Sequence, residues 1–175
     1  MDILIPALDA LLQTDKKFHI LILGSGSGDI EQRLAELAEQ NENKGRFCLL
    51  LGYDPKLANK IYAAGDFFLV PSRYEPCGLT DFIAQFAGNL PVVHHVGGLV
   101  KVEDGVTGFA FKDYSADALM AAMLRAIRVF RASPGRITDM QETATKRIRE
   151  KYSWDKIVHR YLSLYNKAMA MAKKK

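Results

Sequence analysis

Short apolar runs alternate with amphipathic segments along the first two thirds of the chain. The runs are bounded by Gly, Pro, Asp or Ser and are shorter than a typical helix, so they predict buried β-strands. These predicted strands cover residues 18–23, 46–51, 66–70, 91–93 and 108–111. The amphipathic start of the chain predicts a helix over residues 2–14. The segments between the first four strands predict helices over residues 29–40, 56–64 and 78–87. Strands that alternate with helices form βαβ units, so the sequence predicts an α/β fold: a Rossmann-like parallel sheet flanked by helices.

The rest of the chain, residues 116–172, is predicted to be helical. Residues 116–131 carry one apolar face, residues 135–150 form a more polar helix, and Ser153 is a suitable N-cap for a last helix. No linker, repeat or low-complexity stretch divides the sequence. We therefore expect residues 1–175 to form a single domain.

Composition and cysteine usage exclude several classes of protein. The chain is 49% hydrophobic and 25% charged, which excludes disordered and collagen-like proteins. No apolar run approaches the roughly 18 residues of a membrane-spanning helix, and the N-terminus lacks signal-peptide features, so we expect no membrane partner. Because Cys48 and Cys77 make no disulfide framework, we expect a cytoplasmic protein.

Charge is distributed unevenly along the sequence. Residues 1–119 carry a net charge of −6 and residues 120–175 carry +10. Such a basic segment fits either an anionic partner, such as nucleic acid, or solvated helix faces that end in the lysines 173–175. Arg125, Arg128 and Arg131 have no aromatic residues interleaved for stacking on bases, so we favour the second interpretation and expect no nucleic-acid partner.

The glycine-rich turn at residues 24–28 follows the first predicted strand. Its GSGSG sequence is similar to a dinucleotide-binding fingerprint, but Asp29 stands where the third glycine should be. The next strand is also not followed by the acidic residue that would bind a ribose. We therefore expect a turn that allows the strand and the following helix to pack together.

Residues 73–80, RYEPCGLT, join a predicted strand to a predicted helix. The N–H groups of Gly78, Leu79 and Thr80 would be free to bind an anion such as phosphate. A carboxylate at Glu75 does not bind phosphate but suits sugar hydroxyls, so the pattern indicates a nucleotide sugar or a sugar phosphate. An equally compatible interpretation is a capping loop in which Glu75 pairs with Arg73.

Two other interpretations concern neighbouring loops. Cys77 at a helix N-terminus, near His94 and His95, fits a thiol hydrolase, but no third group orients a base. The same residues are a poor set of metal ligands, so we expect no metal. Gly97 and Gly98 follow the fourth strand, where they allow either close approach of a ligand or a tight turn.

The sequence from 71 to 100, PSRYEPCGLTDFIAQFAGNLPVVHHVGGLV, resembles the nucleotide-sugar-binding region of bacterial glycogen synthases and plant starch synthases. That family shares a P-S-R-[FY]-E-P-C-G-L-[TI] run, a helix of small residues, a proline-led strand and a Gly-Gly-Leu turn. The segments LILGSGSGD, LGYDPKLANKIYAAGDFFLVPS and YSWDKIVHRYLSLY are also similar. The resemblance covers nearly the whole chain but only the C-terminal half of such an enzyme.

The resemblance implies a two-domain glycosyltransferase of the GT-B type. Such an enzyme transfers glucose, with retention, from ADP-glucose or UDP-glucose to an α-1,4-glucan, and it needs no cofactor. The resemblance implies a cytoplasmic enzyme, or one of the plastid stroma in the plant-type case. The same resemblance implies that Glu75 contacts the donor sugar and that the sugar and diphosphate are surrounded by Cys77, Gly78, Leu79 and Thr80. It also implies that Gly52 and Tyr53 lie near the nucleobase and that Gly97 and Gly98 form the later glycine turn.

The chain also departs from the family pattern. The family's R-x-x-x-Q-K-G segment, a central strand and the acceptor domain precede the point that matches Met1. Ile83 stands where a related E-x7-E signature has its second glutamate, and Val96 replaces a Thr or Ser. We therefore expect a donor-binding domain that is inactive alone; the alternative is a stand-alone sugar-nucleotide-binding or regulatory domain.

The expected absence of a central strand predicts a specific strand pairing. Each unpaired polar group buried at a strand edge would cost about 1–3 kcal/mol, against a domain stability of about 5–15 kcal/mol. The chain should therefore pair strand 18–23 directly with strand 66–70, borrow a strand, or fold poorly. We expect direct pairing in a monomer.

Overall fold

A computed structural model describes residues 2–173, and its secondary structure follows the predicted order. The helices are α1 (Leu4–Thr14), α2 (Gly28–Glu39), α3 (Pro55–Ala64), α4 (Leu79–Phe86), α5 (Ala116–Ala132), α6 (Pro134–Lys151) and α7 (Trp154–Ala172). The strands are β1 (Ile20–Gly24), β2 (Phe47–Leu51), β3 (Phe67–Val70), β4 (Leu90–His94) and β5 (Phe109–Phe111). Two 3₁₀ turns that the pattern did not predict cover Asn41–Asn43 and Gly97–Lys101.

Local capping explains where several helices begin. The Asp54 carboxylate accepts a hydrogen bond from the Leu57 N–H at 2.9 Å, and Pro55 occupies the first position of α3. The Ser115 hydroxyl oxygen accepts from the Ala118 N–H at the start of α5. Ser153 is the N-cap of α7, as predicted, although its side chain makes no capping hydrogen bond.

The strands pair in parallel, which confirms the predicted α/β class. In one sheet β1 pairs with β2, with Ile20 opposite Phe47. In the other, β3, β4 and β5 lie in that order. All five residues of β4 are buried, as expected for a central strand covered on both faces. The carboxyl ends of β3, β4 and β5 therefore lie on one edge of their sheet.

The predicted pairing of β1 with β3 is wrong. Among residues 2–173, β1 pairs only with β2, and β3 pairs only with β4. The prediction assumed that both edges are fully buried, but most residues of β1 and β3 are half-buried, and Leu21 is 46% exposed. A backbone N–H or C=O group that reaches water avoids most of the free-energy cost of an unpaired buried group. Two separate sheets are therefore compatible with a stable fold.

Side-chain packing joins the two sheets. One continuous apolar cluster contains buried residues of α1, α2, β2, β4, β5, α5 and α6, and residues of β1 and β3 pack against it. Leu8 and Leu11 of α1 are almost fully buried and share this core with Leu119 and Met123 of α5. The first helix is therefore an integral part of the core.

Polar contacts fix the end of α1. The Arg131 guanidinium binds both carboxylate oxygens of Asp15 and donates to the Lys17 carbonyl at 2.9 Å. Arg46 donates to the Leu12 and Asp15 carbonyls at 3.0 and 2.9 Å, which satisfies acceptors left free at a helix C-terminus. Hydrogen bonds from Arg131 hold the pKa of Asp15 below its ordinary value.

Ion pairs account for part of the basic charge in the C-terminal region. Arg125 pairs with Asp104, Arg131 with Asp15, and Arg147 with Glu103. This pairing supports the interpretation that the basic residues lie on ordinary helix faces; Lys174 and Lys175 lie outside the described residues. Within residues 2–173 none of the helices combines the length and the apolar character needed to cross a bilayer.

The Asp15–Arg131 pair predicts a pH dependence of stability. Because the folded-state pKa of Asp15 is lowered, its ionised form contributes stability above the unfolded value of about 3.9, and this contribution is lost as the pH falls through the folded-state pKa. Asp15→Asn should lower the melting temperature at pH 6, and the difference from wild type should shrink below about pH 4. Thermal melts from pH 6 to pH 2 measure this.

Asp139→Asn is the matched control. Asp139 is exposed on α6 and takes part in none of the described ion pairs, so its substitution should change the melting temperature little at any pH. A constant difference between Asp15→Asn and wild type across this range would contradict the prediction.

Candidate functional site

Two loops meet at the carboxyl end of the three-stranded sheet. The loop at residues 71–78 follows β3, and the Gly97–Lys101 turn follows β4. Strands β3 and β4 are neighbours in the sheet. The Gly98 N–H donates a hydrogen bond to the Glu75 carbonyl at 2.7 Å. Strand pairing therefore brings the predicted Glu75 loop against the predicted glycine turn.

The Glu75 carboxylate lies at the N-terminus of α4. Its Oε1 accepts a hydrogen bond from the Gly78 N–H at 3.0 Å, and its Oε2 lies 3.5 Å from the Ser72 hydroxyl. Glu75 does not pair with Arg73, so that part of the capping alternative is wrong. Arg73 instead binds the Asp2 carboxylate at 2.9 Å, because its side chain extends towards the start of the chain.

The start of α4 offers backbone donors to an anion. Gly78 is the N-cap in a left-handed conformation with φ +71°, which favours glycine. The N–H groups of the first turn have no acceptor within the helix, and Leu79 and Thr80 are exposed. Cys77 is also exposed. This terminus can therefore accept a phosphate group beside the carboxylate of Glu75.

The two glycines of the turn are required by close packing. A Cβ on Gly97 would overlap the Glu75 carbonyl, and one on Gly98 would lie 2.6 Å from the Cys77 Cα. Gly97 also has a φ of +52°. The close approach anticipated for these glycines is therefore a contact between two backbones.

Gly52 and Tyr53 lie apart from this group, at the end of β2 in the other sheet. The Gly52 N–H donates to the Gly24 carbonyl at 2.9 Å, and the Tyr53 side chain is 90% exposed. No hydrogen bond described within residues 2–173 joins them to the Glu75 loop. The structure thus brings together Glu75, Cys77, Gly78, Leu79, Thr80, Gly97 and Gly98.

The packing explanation of the glycine-rich turn at residues 24–28 is wrong. A Cβ added to Gly24, Gly26 or Gly28 would meet no atom within 4 Å, and none of the three has a positive φ. These glycines are not needed for the contact between β1 and α2. They leave the backbone at the end of β1 open to solvent.

His94 is held by backbone carbonyls. Its Nδ1 lies 2.8 Å from the Ser72 oxygen and its Nε2 lies 3.1 Å from the Lys112 oxygen, while its ring stacks on Phe111. Both ring nitrogens face backbone carbonyls and not Cys77, which argues against His94 as the base of a thiol hydrolase. Within the described part of the chain no three His, Cys, Asp or Glu side chains form a metal-binding group.

Sequence reasoning missed an ion pair beneath the loop. Asp81 in the first turn of α4 is fully buried, and the Lys101 Nζ lies 3.0 Å from its Oδ1. Burial raises the pKa of Asp81, and the contact with Lys101 opposes that rise. The only signal in the sequence is a lysine within the apolar run LVKV.

Comparison with known proteins identifies the family to which the chain is similar. The profile of the family described as "Glycosyl transferases group 1" matches residues 1–128. The glycogen synthase of Xanthomonas oryzae pv. oryzae (strain PXO99A) is 42% identical over 155 residues, which cover 88% of this chain and 29% of that protein. The glycogen synthase of Leptothrix cholodnii is 36% identical over 179 residues, with 97% and 35% covered.

The fold is similar to that of a solved starch synthase. The catalytic domain of starch synthase IV from Arabidopsis thaliana, bound to ADP and acarbose, superposes with a TM-score of 0.75 at 25% identity. The superposition covers 95% of this chain and 37% of that one. The chain thus spans about a third of the length of these similar proteins.

The backbone contact at Gly98 can be tested by substitution. Gly98→Ala should reduce the free energy of unfolding by roughly 1–3 kcal/mol, because its methyl group forces the two loops apart. Gly26→Ala is the control and should change stability by less than about 1 kcal/mol, since nothing lies near its Cβ position. Urea denaturation measures both, and equal effects of the two substitutions would contradict the packing argument.

Proposed function

The chain belongs to the group 1 glycosyl transferase family, and from this premise we propose that it is the donor-binding part of a retaining glucosyltransferase of the glycogen or starch synthase type. The observation that carries the proposal is the placement of the Glu75 carboxylate 3.0 Å from the Gly78 N–H, at a helix N-terminus. An acidic acceptor beside free N–H donors suits a sugar attached to a diphosphate.

Each part of the donor has a proposed partner. The diphosphate lies over the first turn of α4, where the N–H groups of Leu79 and Thr80 and the Thr80 hydroxyl donate to it. Glu75 keeps unused acceptor capacity after binding Gly78, and this capacity serves the hydroxyl groups of glucose. Tyr53 offers an exposed ring to the nucleobase at the end of β2.

The donor is ADP-glucose or UDP-glucose, and the acceptor is an α-1,4-glucan bound by a part of the enzyme outside this chain. Support for an adenine nucleotide comes from the starch synthase whose structure holds ADP. Support for a glucan product comes from the glycogen synthase relatives. No cofactor or metal is needed for this transfer.

The charges around the site support the expectation that this chain transfers no glucose alone. Negative charge builds on the diphosphate as it leaves, and cationic donors that stabilise it are each worth on the order of 10²-fold in rate. Among the described residues, Arg73 pairs with Asp2 and Lys101 pairs with Asp81. Lys101 is occupied by a buried partner, and Arg73 would reach a leaving group only by giving up its exposed pair with Asp2.

Calorimetric titration with ADP, ADP-glucose and UDP-glucose tests the proposal. The 175-residue chain should bind one nucleotide sugar and its nucleoside diphosphate, and a radiolabelled donor should transfer no glucose to glycogen. A folded chain that binds none of the three at millimolar concentration would contradict the proposal.

Substitution of Glu75 should separate sugar binding from nucleotide binding. Glu75→Gln should lower the affinity for the nucleotide sugar that wild type binds more tightly by about tenfold or more, because a charge-assisted hydrogen bond to a hydroxyl is lost. Affinity for the nucleoside diphosphate and the melting temperature should change much less. Glu142→Gln, an exposed position on α6, is the control; equal losses for sugar nucleotide and diphosphate would argue against a sugar contact.

We expect Cys77 to be a small side chain that fits against the sugar and not a nucleophile. Cys77→Ser keeps the size and the exposed position of the side chain, so it should retain most of the affinity for the nucleotide sugar. Mass spectrometry after incubation with the donor should show no glucosyl adduct. Detection of a covalent adduct on Cys77 would overturn this assignment.

A further inference from the structure

Lys101 contacts three separate parts of the site. Its side chain is only 12% exposed, and its Nζ donates to the Gly78 carbonyl at 2.8 Å and to the Cys77 carbonyl. The same nitrogen lies 3.0 Å from the Asp81 Oδ1 and 3.9 Å from the centre of the Phe82 ring. One ammonium group therefore joins the glycine turn, the Glu75 loop and α4.

Asp81 keeps this lysine in place. It is fully buried, and its Oδ2 accepts from the Gln85 amide at 3.1 Å. Its Oδ1 forms an ion pair with the Lys101 Nζ at 3.0 Å but accepts no hydrogen bond from the described residues. A buried ion pair contributes little net stability compared with an apolar pair of similar volume. Stability alone therefore gives no reason for a charged pair at this position.

The geometry of the peptide bond shows what the pair can do. The Cys77 carbonyl belongs to the same peptide plane as the Gly78 N–H, and the Gly78 carbonyl to that of the Leu79 N–H. In a planar trans peptide the two groups point in opposite directions, and both peptides here are trans. Lys101 holds the carbonyl side of both planes, and Glu75 accepts from the Gly78 N–H on the other side.

We infer that Lys101, held by Asp81, is a positioning residue for the donor site. It fixes the orientation of the Cys77–Gly78 and Gly78–Leu79 peptides so that their N–H groups face the Glu75 side, where the diphosphate and sugar bind. Its positive charge also offsets the two nearby carboxylates, Glu75 and Asp81, which would otherwise repel an anionic ligand. This inference rests on the proposed donor-binding function.

A double-substitution series separates positioning from stability. Lys101→Met should lower the melting temperature, because it leaves the buried Asp81 carboxylate without a counter-charge. It should also lower the affinity for the nucleoside diphosphate that binds wild type, because the two carbonyls lose their donor. Asp81→Asn combined with Lys101→Met removes that buried charge and should restore most of the melting temperature. The double variant should still bind the nucleoside diphosphate about tenfold more weakly than wild type, since no lysine then donates to the Cys77 and Gly78 carbonyls.

Amide hydrogen exchange without nucleotide gives a readout independent of ligand binding. In the double variant the Gly78 amide should exchange at least about tenfold faster than in wild type, while amides of β4 exchange at unchanged rates. Lys112→Met, which removes a lysine on the segment after β5, has the same charge change as Lys101→Met alone and is the control. It should change neither the Gly78 exchange rate nor the melting temperature appreciably.

The two readouts distinguish the possible failures. If wild type binds no nucleotide, the proposed function fails, and the Gly78 exchange rate still decides whether Lys101 orders the loop. If the double variant regains both wild-type affinity and wild-type exchange together with its melting temperature, the ion pair is only structural and the inference is overturned.

Discussion

The Gly98 N–H and the Glu75 carbonyl lie 2.7 Å apart, and this hydrogen bond brings two loop backbones into direct contact. The contact follows from the pairing of β3 with β4, which places the ends of both strands side by side. Because the backbones touch, no Cβ fits at Gly97 or Gly98. The path of the loop that carries Glu75 is therefore fixed by the neighbouring glycine turn as well as by the loop's own residues. This path places the Glu75 carboxylate at the start of α4.

A second layer of contacts lies beneath the first. The left-handed conformation of Gly78 turns the chain into α4 and leaves the N–H groups of the first turn at the surface. The Cys77 and Gly78 carbonyls point to the opposite side of the loop, where Lys101 binds them. Asp81 in turn balances the charge of this lysine. The carbonyl side of the loop is thus bound by Lys101 while the N–H groups of the first turn stay at the surface, and such bonding on one side orders a polar segment at the edge of a core.

The sequence allowed prediction of those features whose signals are local. The apolar runs and their glycine, proline and aspartate boundaries predicted each strand and helix, and the consecutive residues 73–80 indicated the Glu75 site. The Lys101–Asp81 pair lies twenty residues apart in the chain and on different elements, so no local periodicity marks it. The β1–β3 pairing was mispredicted because hydrophobicity does not reveal how exposed a strand edge is. The packing role predicted for Gly24, Gly26 and Gly28 was wrong, because a glycine in a sequence does not reveal whether other atoms lie near its Cβ position.

The division between β1 and β3 has a mechanical consequence. The two ends of the proposed donor site, Tyr53 after β2 and Glu75 after β3, stand on different sheets, and no described ladder of backbone hydrogen bonds links these sheets. Side-chain packing around α1 and α5 holds them together. Packing between apolar side chains is less directional than a hydrogen-bond ladder. Within residues 2–173 the separation between Tyr53 and Glu75 is therefore set by the shapes of packed side chains and not by the register of paired strands.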